Sequence, residues 1–171
     1  MTTKQMLFSA LILGANTGII AAAEIQWEKI NKQSKNHWDL NDKLLDAIQF
    51  KTAKEVEQLL KQGAWISRFD NEALYQAIKR NDEEGFKITS ILIENDANIN
   101  DKCDHGYTAA HIAVWNYNPK VLHLIHEKGG NLTIKDDKKK EPSDYLQALD
   151  KSHPNYQEVI AFFEELQNNQ K

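Results

Sequence analysis

Three short segments recur at a fixed interval. Gly63-Ala64-Trp65-Ile66, Asp96-Ala97-Asn98-Ile99 and Gly129-Gly130-Asn131-Leu132 are equally spaced along the chain. This period restricts the fold more than any other feature. A unit so small cannot bury a hydrophobic face alone and must stack on copies of itself. Each segment follows an apolar helical stretch: Val56, Leu59, Leu60; then Ile88, Ile91, Leu92; then Val121, Leu124, Ile125. Spacing of i, i+3, i+4 makes one buried stripe per helix. A shorter helix is predicted ahead of each, over Leu44–Phe50, Ala73–Arg80 and Ala109–Asn116. The unit reads as short helix, turn, longer helix, extended loop.

Helix starts and stops support these boundaries. Thr52-Ala53-Lys54-Glu55 has the form of a capping box, in which the threonine oxygen accepts from the third helical N–H and the glutamate reaches back. Asn118-Pro119 places an N-cap before a proline that lacks the orphan donor anyway, and His153-Pro154 is predicted to open the last helix in the same way. Gly63 and Gly129 close helices where positive φ is needed. Seven Gly and three Pro are too few for an all-β domain rich in tight turns.

Here the chain resembles the ankyrin-repeat family. Gly106-Tyr107-Thr108-Ala109-Ala110-His111-Ile112-Ala113 is similar to that family's G-x-T-P-L-H-x-A, and it runs on to Gly129-Gly130-Asn131-Leu132-Thr133, where the family has G-A-D-V-N. Asp96-Ala97-Asn98-Ile99-Asn100 matches the same ending. The resemblance implies a mostly α solenoid of about four helix-turn-helix units with hairpin-like loops, over roughly 41–67, 68–100, 101–133 and 134–167, with 168–171 as a tail. Repeat two departs from the pattern: Glu72-Ala73-Leu74-Tyr75 replaces T-P-L-H. Its preceding loop is shorter than the pattern, and its interhelix turn, Asp82-Glu83-Glu84-Gly85, is longer by the same amount, so the period survives. In repeat four Asp144 replaces the histidine. Residues 24–40, with Ile25, Trp27, Ile30 and Trp38, are expected to cap the open end of the stack. The final helix, Pro154–Leu166, is expected to bury Val159, Ile160 and Phe163 behind a polar face.

Positions 1–23 have the three-part layout of a secretory signal peptide: a short basic start at Lys4, an apolar run over 6–13, and small residues at Ala21 and Ala23. Cleavage is expected between Ala23 and Glu24. The apolar run is short and broken for a membrane span, which wants about 20 residues. The expectation is an exported bacterial protein, periplasmic or secreted further, without membrane insertion after processing and monomeric when free. Elsewhere the composition is that of a soluble globular chain, with 41% apolar and 27% charged residues. A formal charge of −4 does not suggest nucleic-acid binding. Cys103 alone allows no intramolecular disulfide and no multi-cysteine metal site.

Residues with chemical potential have plainer roles. In the family, the histidine at the place of His111 orients backbone by hydrogen bonding, with Thr108 capping its helix. His123 and His126, at i, i+3 beside Glu127, lack an obvious further metal ligand. Cys103 and His105 form no readable nucleophile–base–orienter set, and Cys103 reads as a partly buried loop thiol. Gly129-Gly130 is a helix end without a phosphate-cradle motif, and no cofactor is implied. Lys138-Lys139-Lys140 reads as a solvated hairpin tip, with contact to an acidic partner as the alternative.

The resemblance implies a non-catalytic protein–protein interaction module. Carried over by position, the concave binding face comprises Gln49, Phe50, Lys79, Arg80, Trp115 and Asn116 from the first helices, with Lys102, Asp104, His105 and Tyr107 from the loop tip. Aromatic residues and arginine dominate interface energetics. Packing between repeats is the competing role for Trp115 and Phe50. Trp65 fits both a partner anchor and a contact to the capping segment. Immunity against a periplasmic toxin and action as a secreted host-directed effector are the alternative functions, with an enzyme as a weak third.

Overall fold

The computed structural model describes residue 26, residues 39–66 and residues 72–168. The predicted signal peptide with its Ala23/Glu24 cleavage site, the cap residues Ile25, Trp27, Ile30 and Trp38, and the loop before repeat two at 67–71 lie outside the described residues.

Helix α1 covers residues 39–50, followed by α2 (Ala53–Lys61), α3 (Glu72–Arg80), α4 (Glu83–Glu94), α5 (Ala109–Trp115), α6 (Pro119–Glu127) and α7 (Tyr156–Asn168). Short 3-10 helices span Asp104–Gly106 and Pro142–Ala148. No strand occurs among the described residues. The elements form two layers. In the inner layer α3 packs on α5, and α5 on the 3-10 helix Pro142–Ala148. In the outer layer α2 packs on α4, α4 on α6, and α6 on α7. The layers meet across α3·α4 and α5·α6. This is a helix-turn-helix repeat solenoid.

The predicted stripes fill the space between layers. Val56, Ile88, Leu92 and Val121 are wholly buried and Leu124 and Ile125 nearly so, while Leu59, Leu60 and Ile91 are half-buried; Leu44, Ala47 and Ile48 of α1 join the same core. The capping box at Thr52 and Glu55 is complete, and Asn118 accepts from the Val121 N–H with Pro119 in the first turn of α6. Gly63 and Gly129 end their helices at φ 94° and 79°.

Four expectations are corrected. Helix α1 extends at least to residue 39, so in repeat one the inner helix is longer than the outer one. The stretch Asp82–Gly85 is not a long turn. Asp82 is the N-cap of α4, accepting from the Gly85 N–H, and Glu83, Glu84 and Gly85 are the first turn of a helix of 12 residues. The inner helix of repeat four winds as 3-10, with Asp144 accepting from the Glu141 N–H at 2.8 Å. The last helix starts at Tyr156, after turns closed by the Tyr156 N–H on the His153 carbonyl (3.0 Å). On that helix Phe162 is buried beside Val159 and Phe163, while Ile160 is only half-buried.

Polar side chains tie neighbouring repeats together. The Arg80 guanidinium donates to the carbonyls of Ile48 (3.2 Å) and Lys51 (2.6 Å) and pairs with Asp82. Asn81 donates to the Asn116 carbonyl (2.8 Å) and accepts from the Asn118 side chain (2.9 Å). Asn155 donates to the Tyr117 carbonyl (3.0 Å). Asn81 and Tyr117, at φ 52° and 49°, turn the chain between inner and outer helices. Backbone groups in these turns have no helical partner, so an amide or guanidinium from the adjacent repeat satisfies them.

Candidate functional site

The inner layer and loop tips enclose a groove of about 650 Å³. Tyr75, Lys79, Trp115 and Asn116 come from the inner helices and their ends, and Lys102, Asp104, His105 and Tyr107 from the loop between repeats two and three. Seven of the residues assigned from sequence to the binding face therefore meet in one place: Lys79, Lys102, Asp104, His105, Tyr107, Trp115 and Asn116.

The tip is built by a turn within a hairpin-like loop. The Cys103 N–H donates to the Tyr107 carbonyl (2.7 Å), and the Gly106 N–H to the Cys103 carbonyl (2.9 Å). His105 and Gly106 both take positive φ, 63° and 76°. At Gly106 a Cβ would lie 2.5 Å from an Asp137 carboxylate oxygen, so only glycine lets the two tips approach. The next tip repeats this closure one period later, where the Asp136 N–H donates to the Lys140 carbonyl (2.9 Å).

Inner-helix side chains hold each tip from below. The backbone N–H of Thr108 donates to His111 Nδ1 (3.1 Å), which places the ring proton on Nε2 and aims it at the Lys140 carbonyl (3.1 Å). Burial holds the His111 pKa below its ordinary value, so the ring stays neutral. In repeat two Tyr75 does related work from the inner helix α3. Its buried hydroxyl donates its one proton mainly to the Asp101 carbonyl (2.7 Å), with the Tyr107 carbonyl at 3.3 Å as the second acceptor. Tyr107 and Lys140 occupy equivalent places in successive repeats, so a tyrosine here reaches the carbonyl that a histidine reaches in the next unit.

The groove wall is aromatic. Trp115, half-buried, meets Tyr107 edge-on at 4.2 Å between centroids and Tyr145 at 5.1 Å. Tyr145 donates its hydroxyl to Asp136, a carboxylate only 1% exposed. Tyr145 does not line the groove but backs Trp115, and it is absent from the binding face assigned by sequence. It occupies the place of the buried Ile112 one repeat later, so position alone marks it as core. Trp115 both packs between repeats and presents surface to the groove, the two roles that sequence leaves open.

Three assigned residues stand apart, and of these Gln49 is exposed and outside the groove. Arg80 lies outside the groove; its side chain is 15% exposed and engaged with repeat one, as described above. Phe50 is 68% exposed and also outside it. Trp65 is 54% exposed, and its backbone N–H donates to the Asn41 side chain (2.8 Å).

Burial first, then the nearby Asp104 carboxylate, pushes the Cys103 thiol up, away from the thiolate a nucleophile needs. His105 packs against the Tyr107 ring at 5.8 Å. His123 and His126 lean on Phe162 of α7, at 4.8 and 6.3 Å. Among the described residues no group of three or more His, Cys, Asp or Glu could hold a metal ion, and no helix is long and apolar enough to cross a membrane.

The profile of the family described as ankyrin repeats (3 copies) matches residues 44–136, more than half of the chain and all of the groove's residues. No curated protein matches the chain. Repeat spacing, two-layer stacking and the profile agree, and the chain belongs to the ankyrin-repeat family.

Proposed function

We propose that this chain is a non-catalytic protein-binding module of the bacterial periplasm, which seats a segment of a partner protein in the groove between Tyr107, Trp115 and the loop tips. Ankyrin repeats generally mediate protein–protein interaction. One observation carries the reading to this chain: residues from two inner helices and a loop tip converge on one groove with an aromatic wall and charged rims. Aromatic anchors in a partly desolvated pocket with polar surroundings are the usual anatomy of a binding hot spot. The apolar run over 6–13 followed by Ala21 and Ala23 supports the periplasmic part of the reading.

The test is photo-cross-linking in cells producing the full chain. A photoreactive amino acid at Lys79 or Asp104 is expected to give a discrete adduct with a protein in the envelope fraction, and one at His126 on the outer layer is not. Adducts from His126 alone, or from no position, would sink the groove reading. For export, the expected N-terminus of the fractionated protein is Glu24, and Ala23→Arg leaves a larger precursor. Wild-type protein found full-length in the cytosol would remove the periplasm from the proposal.

A further inference from the structure

One hydroxyl reaches the loop tip from inside the stack. Tyr75, on α3, is 2% exposed, and its ring joins the core. Its hydroxyl donates to the Asp101 carbonyl (2.7 Å) and has the Tyr107 carbonyl at 3.3 Å as second acceptor. These carbonyls stand on the two legs of the 101–107 loop, at its base. The Tyr107 carbonyl also takes the Cys103 N–H (2.7 Å), and the Gly106 N–H closes on the Cys103 carbonyl (2.9 Å). Burial first, then Cys103 and Asp101, push the Tyr75 phenol above its ordinary pKa, so the hydroxyl stays a donor.

The loop held in this way forms one wall of the groove. Lys102, Cys103, Asp104, His105 and Tyr107 are five of its eleven lining residues, and the inner helices supply the opposite wall. The walls meet where the Tyr107 ring touches Trp115 edge-on, at 4.2 Å between centroids. In the next repeat the corresponding place on the inner helix holds His111, whose Nε2 reaches one leg of its loop, at the Lys140 carbonyl (3.1 Å). The longer phenol of Tyr75 reaches both legs. Its ring bears on the core and its hydroxyl on the tip, so one substitution separates the two roles.

We propose that Tyr75 is the positioning residue of the groove: by tying both legs of the 101–107 loop, its hydroxyl fixes Tyr107 against Trp115 and so decides which partner segments fit. This rests on the protein-binding reading above and adds the residue that sets its selectivity. Lining residues on the loop move when the base of the loop moves, and those on the helices do not. Loss of the hydroxyl therefore reshapes the groove and leaves the stack in place. Recognition depends on binding groups held within about 0.5 Å by the contacts behind them. A tip already held in place also avoids the entropy lost when a mobile one is ordered on binding.

The test pairs hydrogen exchange on the full chain with peptide binding. Tyr75→Phe should keep the helix content of the wild type by circular dichroism. Exchange of the Cys103 and Gly106 amides should quicken more than about tenfold relative to the Ile88 and Leu92 amides of α4. The Trp115 indole N–H resonance, assigned with Trp115→Phe, should shift. Dodecapeptides selected from a display library on the wild type, and lost with Trp115→Ala, should bind Tyr75→Phe more than about tenfold more weakly. Selection on Tyr75→Phe itself should return a different consensus. Gly129→Ala, at the end of α6, should leave the indole resonance and the peptide affinities unchanged, which separates tip placement from general destabilisation. If Tyr75→Phe is unfolded, Tyr75→His takes its place; with a donor for the Tyr107 leg alone, it should give a smaller loss in the same direction. Unchanged relative exchange at Cys103 and Gly106 would overturn the positioning role. Trp115-dependent peptides that bind the Tyr75 variant as tightly as the wild type would overturn the selectivity and leave the groove reading standing. Failure to recover any Trp115-dependent peptide would overturn the groove reading, and the selectivity with it.

Discussion

Tyr145→Phe isolates one hydrogen bond that joins the lysine tip to the aromatic wall. Asp136 is 1% exposed and accepts at Oδ1 from the Lys140 N–H (2.9 Å) and at Oδ2 from the Tyr145 hydroxyl. Phenylalanine keeps the ring and its edge-on contacts with Trp115 and His111 but leaves Oδ2 buried without that donor. Hydrogen bonds to charged groups contribute roughly 1.5–3 kcal/mol, and the expected loss is about 2 kcal/mol. At roughly 2–4 °C per kcal/mol for a chain of this size, Tm should fall by roughly 4–8 °C.

The pH dependence sharpens the test. Burial pushes the Asp136 carboxyl up, but the Tyr145 hydroxyl and the backbone N–H groups of Lys140 and Lys138 outweigh it and hold its pKa below the ordinary 3.8. A carboxylate depressed in the folded state stabilises fully above its unfolded pKa, and that stability is lost as pH falls through the folded value. The gap between wild type and Tyr145→Phe should therefore be complete at pH 7 and shrink in acid below about pH 4. The assay is urea denaturation at both ends of that range, with Asp136→Asn closing a double-mutant cycle. A gap under about 0.5 kcal/mol at neutral pH, or one that stays constant into acid, would refute the reasoning.

Other outcomes follow from the same geometry. Trp115→Ala should weaken binding of the cross-linked partner by about 2 kcal/mol, some thirtyfold in Kd, while His126→Ala on the outer layer changes little; paired titrations of folded variants decide, and the opposite order would move the site to the outer layer. Gly129→Ala should cost only about 1 kcal/mol, because its φ of 79° is strained for alanine but nothing lies within 4 Å of the new Cβ. Gly130→Ala should cost more, since its Cβ would collide with Ile125 Cγ2 and fall 2.8 Å from the Ile125 carbonyl; equal melting points for the two variants would contradict the packing. His111, kept neutral by burial, must gain a proton on unfolding in mild acid, so stability should decline as pH drops below about 6.5. His111→Gln should flatten that decline by at most about 1.4 kcal/mol per pH unit, read from chemical melts between pH 7 and pH 5.

The architecture is legible because its determinants are local and repeated. The stripes around Val56, Ile88 and Val121 report helix phase, and Thr52, Asn118, Gly63 and Gly129 mark ends whose geometry depends on one residue each. Errors arise where two local codes compete. Asp82-Glu83-Glu84-Gly85 reads as a turn by composition, yet Asp82 with two following glutamates is also a strong N-cap, and its side chain takes the Gly85 N–H at the start of the helix. Pro154 reads as a first helical residue, but the chain closes short turns over Asp150–Tyr156 before α7 begins. At the site, seven residues converge because they share one side of the period. Arg80 shares it too, yet its guanidinium reaches carbonyls of repeat one, which no pattern within repeat two reveals.

The divergence of repeats two and four from the family pattern then has a physical reading. The inner helix of each repeat must satisfy backbone at a loop. In repeat three histidine reaches the Lys140 carbonyl, in repeat two tyrosine reaches those of Asp101 and Tyr107, and in repeat four aspartate turns back on the Glu141 N–H. The first two solutions run from one repeat to the loop of the next. The groove inherits this arrangement: Tyr75 and Lys79 come from repeat two, and Tyr107, Ile112 and Trp115 from repeat three. Tyr107 of the groove is thus held at a junction, by a bond whose two ends lie in different repeats. A repeat closer to the family pattern at Tyr75 would trade a hydroxyl that reaches two carbonyls for a shorter imidazole. Placement of the Lys102–Tyr107 tip would change with it, and with the tip the surface offered to a partner.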